Sequence, residues 1–133
     1  MTIKSVSLAA VAVIAFAAPA PAPHSFAMFD SDKTSTLDGT VKEFEWTNPH
    51  SWIRVNVADA SGTQRQWAIE MGSPAQISQR GWTPNTIKAG DKIKLTIHPL
   101  KDGSRGGQFM SATLADGKVL ANQGIRYNSL GNE

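Results

Sequence analysis

The sequence predicts a mainly β protein: a small five-stranded barrel with one short helix between its third and fourth strands, following a cleaved signal peptide. Three observations predict it. From Thr36 onward apolar side chains recur at every second position in short runs, which is the period of half-buried strands. Glycine, proline, aspartate and serine clusters separate the runs, and one serine-proline helix start falls between the third and the fourth. A chain of 133 residues with 41% hydrophobic content suits one domain around one core. The expected plan is a leader with a Pro/Ala spacer over 1–22, an extended segment over 23–35, the barrel over 36–121 and a loosely ordered tail over 122–133.

The leader begins with a positive charge at Lys4 and continues as an apolar run from Val6 to Ala18. A membrane-spanning helix needs ~20 apolar residues, so this run is too short, and small residues and prolines follow it in place of a stop-transfer segment. A signal cleaved after Ala17, by the small-x-small rule at Ala15-Phe16-Ala17, is the expectation, with no transmembrane anchor left after cleavage and a periplasmic or secreted location. Pro19 to Pro23 reads as a short extended spacer.

The first strand, Thr36 to Trp46, carries Leu37, Gly39 and Val41 on one parity and Phe44 and Trp46 on the other, so it is expected to contain a bulge. The second, His50 to Ala58, turns Ile53, Val55 and Val57 inward and His50, Trp52, Arg54 and Asn56 outward, ending at Asp59-Ala-Ser-Gly62. The third, Gln64 to Met71, sets Trp67, Ile69 and Met71 against Gln66, Ala68 and Glu70. Ser73 then serves as N-cap with Pro74 at the first helical position, and Gly81 stops a helix of about two turns. The fourth strand places Ile93, Leu95 and Ile97 inward and Lys92, Lys94, Thr96 and His98 outward, up to Pro99. A polar loop from Lys101 to Gly107 leads to the fifth, Gln108 to Leu114, which Lys118-Val-Leu continues after a turn at Ala115-Asp116-Gly117. Three strands, a helix and two strands is the element order of the OB-fold; an open antiparallel sheet with a helix on one side is the alternative.

In that fold the loops after strands one, three and four are expected to meet at one barrel end. They would gather a ligand-binding set of Trp46, Asn48, His50, Trp52 and Arg105. His50, Glu70 and His98 share the outward parity, and with Met71 they form a candidate metal set: two imidazoles and a carboxylate suit zinc, while imidazole with thioether sulfur suits copper. No close His pair supports this, and the opposing reading is that His50 is held by the Asn48-Pro49 turn while His98 merely ends a strand. Trp46 and Trp52 admit both core packing and ligand stacking; Trp67 reads as core, and Trp82 as a plug in the barrel. The glycine-bearing loop up to Gly107 lacks the strand-to-helix context of a phosphate cradle and reads as a hairpin loop.

No Gly-x-Ser-x-Gly elbow and no placed pair of carboxylates suggests catalysis, so a non-enzymatic role is expected. Without cysteine the chain has neither disulfides nor thiolate ligands. Loss of Lys4 with the leader leaves 12 basic against 11 acidic side chains, a net charge of +1, and these are interspersed, which argues against nucleic acid as a partner.

The segments His24 to Asp30, Gly39 to His50 with its Trp46-Thr-Asn-Pro-His50 ending, Ile69 to Pro74, Gly81-Trp82 and Thr96 to Leu100 occur together. They make the chain similar to the exported bacterial proteins catalogued as domain of unknown function 6152. The resemblance covers nearly all of the chain after the leader. It implies an exported domain without an assigned activity, with His50 and His98 inside the family's characteristic segments. One departure is Pro23, where members often carry a histidine directly before His24; this weakens an N-terminal copper site, because proline lacks the amide hydrogen such a site uses. Two classes of role follow: a binding domain for a metal ion or small ligand, and an interaction domain docking on another envelope protein.

Overall fold

Alternation of apolar and polar residues becomes a curled sheet that closes on itself. The computed structural model describes residues 26–122; the leader, its cleavage point, the spacer, His24 and the tail beyond Asn122 lie outside the described residues. The strands are β1 (Ser35–Glu45), β2 (Trp52–Ala58), β3 (Gln64–Glu70), β4 (Lys92–Pro99), β5 (Gly106–Leu114) and β6 (Val119–Ala121), with the helix α1 (Pro74–Ser78) between β3 and β4. β1, β2 and β3 form an antiparallel meander, β1 also pairs with β4, and β4 pairs with β5. The barrel closes where β5 runs parallel to β3 through Ala68↔Gly106, Ile69↔Gly107 and Glu70↔Gln108. This is the five-stranded OB-type barrel and not the open sheet.

The faces follow the sequence pattern. Ile53, Val55, Ile69, Leu95 and Ile97 are fully buried, each worth roughly 1.5–3 kcal/mol of burial. The β1–β2 register shifts between Val41 and Glu43. Leu37 and Val41 therefore face the core before the bulge and Phe44 packs against it after the bulge. Trp82 is buried against Phe44 and Phe109, with ring centroids 5.6 and 5.5 Å away.

β1, β2 and β3 end within one or two residues of the expected bounds, β2 starting at Trp52 and not at His50; two larger differences concern the last strands. β5 starts at Gly106, so the glycine pair read as loop belongs to the strand. A Cβ on Gly107 would lie 2.6 Å from Ile97 Cδ1 and 2.7 Å from the His98 carbonyl oxygen, so glycine is what lets β5 pass this close to β4. The short continuation after the Asp116-Gly117 turn is a strand of its own, β6, paired antiparallel with Ser111–Thr113.

The helix is a single turn and a half, shorter than expected. Ser73 and Gln76 form a reciprocal capping box, with Pro74 in the first turn. At the other end Gly81 has φ +92°, its N–H donates to the Ser78 carbonyl and the N–H of Trp82 donates to that of Ile77, both at 3.2 Å. This Schellman closure ends the helix and turns Trp82 into the core beside Ile77. Ahead of β1, a 3-10 turn at Phe26–Met28 leads into a bridge between Phe29 and Leu100. The Asp30 N–H donates to the Pro99 carbonyl (2.8 Å) and the Lys101 N–H to the Met28 carbonyl (2.9 Å), fastening this segment to the end of β4.

Candidate functional site

The three-rung β3–β5 seam has a concavity beyond each end. One, of about 210 Å³, is lined by His50, Glu70, Met71, Gly72, Gln76, Arg80, Gln108, Phe109 and Asn122. Its geometry follows from register. Trp52, Glu70, Gln108 and His98 are successive partners across β2, β3, β5 and β4, so they form one row on the outer face. The chain between β1 and β2 delivers His50 onto this row. Its Asn48–Pro49 peptide is cis, and the Thr47 hydroxyl donates to the His50 carbonyl at 2.8 Å. Ser51 then extends the β2–β3 ladder: its N–H donates to the Gly72 carbonyl, and its own carbonyl accepts from Met71 N–H.

His50 Nδ1 lies 3.0 Å from the Met71 carbonyl oxygen and 3.4 Å from Glu70 Oε1. A carbonyl only accepts, so Nδ1 carries the proton and the ring donates from that side. His50 and Glu70 are partly buried, which makes the pair the best-sheltered titratable contact of the cleft. On the far side, the Arg80 guanidinium donates to Asn122 Oδ1. The cleft thus offers a carboxylate, a guanidinium, an imidazole and the side-chain amides of Gln76, Gln108 and Asn122.

The sequence-predicted residues are only partly brought together. His50, Glu70 and Met71 share the cleft, but Met71 is 4% exposed with its side chain in the core. His98 stands two strands from Glu70, roughly 10 Å at the spacing of neighbouring strands. Its Nδ1 donates to the Lys33 carbonyl at 2.7 Å. Among the described residues no three histidine, aspartate or glutamate side chains are gathered where they would hold a metal ion. Trp46 packs edge-on against Phe44, with centroids 5.8 Å apart. Trp52 faces outward with the Arg54 guanidinium over its ring at 5.0 Å, and Arg54 in turn holds Glu45 at 2.8 Å. Asn48 is exposed in the loop.

Arg105 does not join His50. β4 is antiparallel to β1 and ends beside the start of β1, so the β4–β5 loop emerges at the opposite mouth, next to the β2–β3 hairpin. There Arg105 borders the second concavity, of about 600 Å³, with Leu37, Val57, Ala58, Asp59, Arg65 and Trp67. The loops after strands one and three meet; the loop after strand four serves the other end. Gln76, Arg80, Gln108 and Asn122 are the cleft residues that sequence reasoning missed. Only Gln108, at the start of a strand and on the outward parity of His98, left a readable signal.

A model described as "Family of unknown function (DUF6152)" matches residues 10–110. No curated protein sequence matches the chain. Among solved structures, a crystal structure of Rim1, the mitochondrial single-stranded DNA binding protein of S. cerevisiae, is similar at 13% identity and a TM-score of 0.45. The match covers 62% of this chain and 94% of that one. A selenomethionine-labelled crystal structure of Rim1 is similar at 12% identity and a TM-score of 0.42, covering 62% and 92%. No helix among the described residues is long and apolar enough to cross a membrane.

Proposed function

We propose that this chain, which belongs to the DUF6152 family of unknown function, is an exported, non-catalytic binding domain that takes a compact polar ligand in the cleft at the β3–β5 seam. The observation that supports this is the convergence of His50, Glu70, Gln108, Gln76, Arg80 and Asn122 on a space of about 210 Å³. Such a volume is below that of drug-sized pockets, and its lining presents hydrogen-bond donors and acceptors with charges of both signs. A small molecule with several polar groups, its donors toward Glu70 and its acceptors toward Arg80 and the amides, matches that lining better than a metal ion. A metal would need three protein donors within about 2.0–2.3 Å of one point. Export rests on the leader from Lys4 to Ala18, with a periplasmic or secreted destination. Nucleic acid stays outside this reading because the 13 basic and 11 acidic side chains are nearly balanced and interspersed, without the cationic stripe that phosphate binding uses.

Native mass spectrometry of the full chain recovered from a producing bacterium tests the reading. The expected spectrum shows a mature protein beginning after Ala17 and carrying a compact organic adduct, which the double variant Glu70→Gln/Gln108→Ala loses while keeping its thermal midpoint. An adduct of metal-ion mass removed by His50→Ala would replace this reading with metal binding. A bare mass, together with a reproducible envelope-protein partner in pull-down, would replace it with a docking domain.

A further inference from the structure

The two barrel ends are built differently. Beside the seam cleft, α1 and Trp82 seal the core. At the opposite mouth the apolar inward-facing residues nearest this end of three strands, Leu37, Val57 and Trp67, form an apolar floor, and Val57 and Trp67 are only partly buried. The hairpin side of this mouth is electrically closed: Arg65 Nε holds Asp59 Oδ2 at 2.9 Å. The loop side is not. Among the described residues the Arg105 guanidinium has no ion-pair or hydrogen-bond partner, yet its backbone is pinned, because its carbonyl accepts the Ala68 N–H at 3.2 Å just before the first rung of the seam. An unpaired guanidinium therefore stands at a fixed position on the rim of an apolar, indole-bearing hollow of about 600 Å³, a size within the range of small-molecule sites.

We propose that this mouth is a second binding site, independent of the seam cleft, for an amphipathic organic anion: an apolar or aromatic body on Leu37, Val57 and Trp67 with a carboxylate, sulfonate or phosphate head on Arg105. The chemistry is complementary on both counts. The planar fork of arginine matches a bidentate oxyanion, and the partly exposed indole and Val57 gain by covering apolar surface that water now touches. The Asp59–Arg65 pair is self-neutralised, so one unbalanced positive charge remains to select an anion over a neutral analogue of the same shape.

Fluorescence titration of the full chain with 8-anilinonaphthalene-1-sulfonate, and in parallel with the uncharged N-phenyl-1-naphthylamine, tests this. The wild type is expected to bind the sulfonate saturably, one per chain. Arg105→Ala, at an exposed side chain and with unchanged thermal midpoint, weakens sulfonate binding about tenfold, the size of one charge-assisted contact, while changing the neutral probe less than twofold. Arg105→Lys falls between. Absence of saturable binding, equal sulfonate affinity in Arg105→Ala, or loss of binding in the seam variant Glu70→Gln/Gln108→Ala overturns the proposal.

Discussion

Replacing Gly107 by alanine should open the barrel. The new Cβ would sit 2.6 Å from Ile97 Cδ1 and 2.7 Å from the His98 carbonyl oxygen. Ile97 is fully buried, and the carbonyl belongs to the backbone of β4, so neither yields without moving the sheet. Overpacking of this kind costs about 1–3 kcal/mol, and forcing Ile97 off its rotamer adds roughly 0.5–1.5 kcal/mol. The entropy that alanine removes from the unfolded chain returns about 0.4–1 kcal/mol. The net loss is about 2–3 kcal/mol, a drop of roughly 10–20 °C in thermal midpoint for a domain of this size. The neighbouring Gly106→Ala is the internal control. Its Cβ would meet Leu100 Cδ1 at 2.8 Å and the Ala68 carbonyl oxygen at 3.1 Å. The first contact is the tip of a movable side chain, so about 1 kcal/mol or less is expected. Urea titration gives both differences, and amide exchange at Ala68–Glu70 should quicken only in the Gly107 variant. Equal losses in the two variants, or a loss below about 1 kcal/mol for Gly107→Ala, would refute the argument that this close approach is what glycine permits.

Two further predictions concern polar groups. Ser51 is fully buried, and its Oγ lacks a hydrogen-bond partner among the described residues; Ser51→Ala should therefore leave stability unchanged or raise it by up to about 1 kcal/mol, and a comparable loss in urea titration would mean that a buried water satisfies the hydroxyl. Asp59 has its carboxyl pKa lowered from 3.8 to about 2, first by the Ser61 hydroxyl and then by Arg65. A depressed folded-state pKa contributes stability that is complete above pH 3.8 and lost as pH falls through 2, so the gap in thermal midpoint between wild type and Asp59→Asn should narrow from pH 5 to pH 2; a constant gap would show that the charge of Asp59 is not what stabilises.

Much of the barrel was legible because its signals are local. The alternation in Ile53-Val55-Val57 and Ile93-Leu95-Ile97, the parity switch before Phe44 and the Ser73-Pro74 start each specify structure within a few residues. What escaped is set by distant neighbours. Gly106-Gly107 reads as a loop until β3 and β4 are placed on either side of it. The site divides in the same way. Outward parity put His50 and Glu70 together correctly, whereas Arg80 enters the cleft by reaching Asn122, 42 positions later. The misplacement of Arg105 came from treating the loop after β4 as a neighbour of the loop after β1, although antiparallel pairing sends the two strands to opposite ends.

The way β5 is flanked bears on how the molecule behaves at high concentration. β4 covers one side of it from Gly107 to Leu114; on the other side β3 occupies its first three residues and β6 occupies Ser111–Thr113. A foreign strand therefore finds little unpaired backbone along β5 to add itself to. Where β3 runs ahead of the seam, Gln64, Arg65 and Gln66 are exposed and polar, with a cation in the middle, which is how sheet edges discourage a second copy from pairing with them. The open stretch of β3 is thus short and polar, which disfavours edge-to-edge pairing of two barrels.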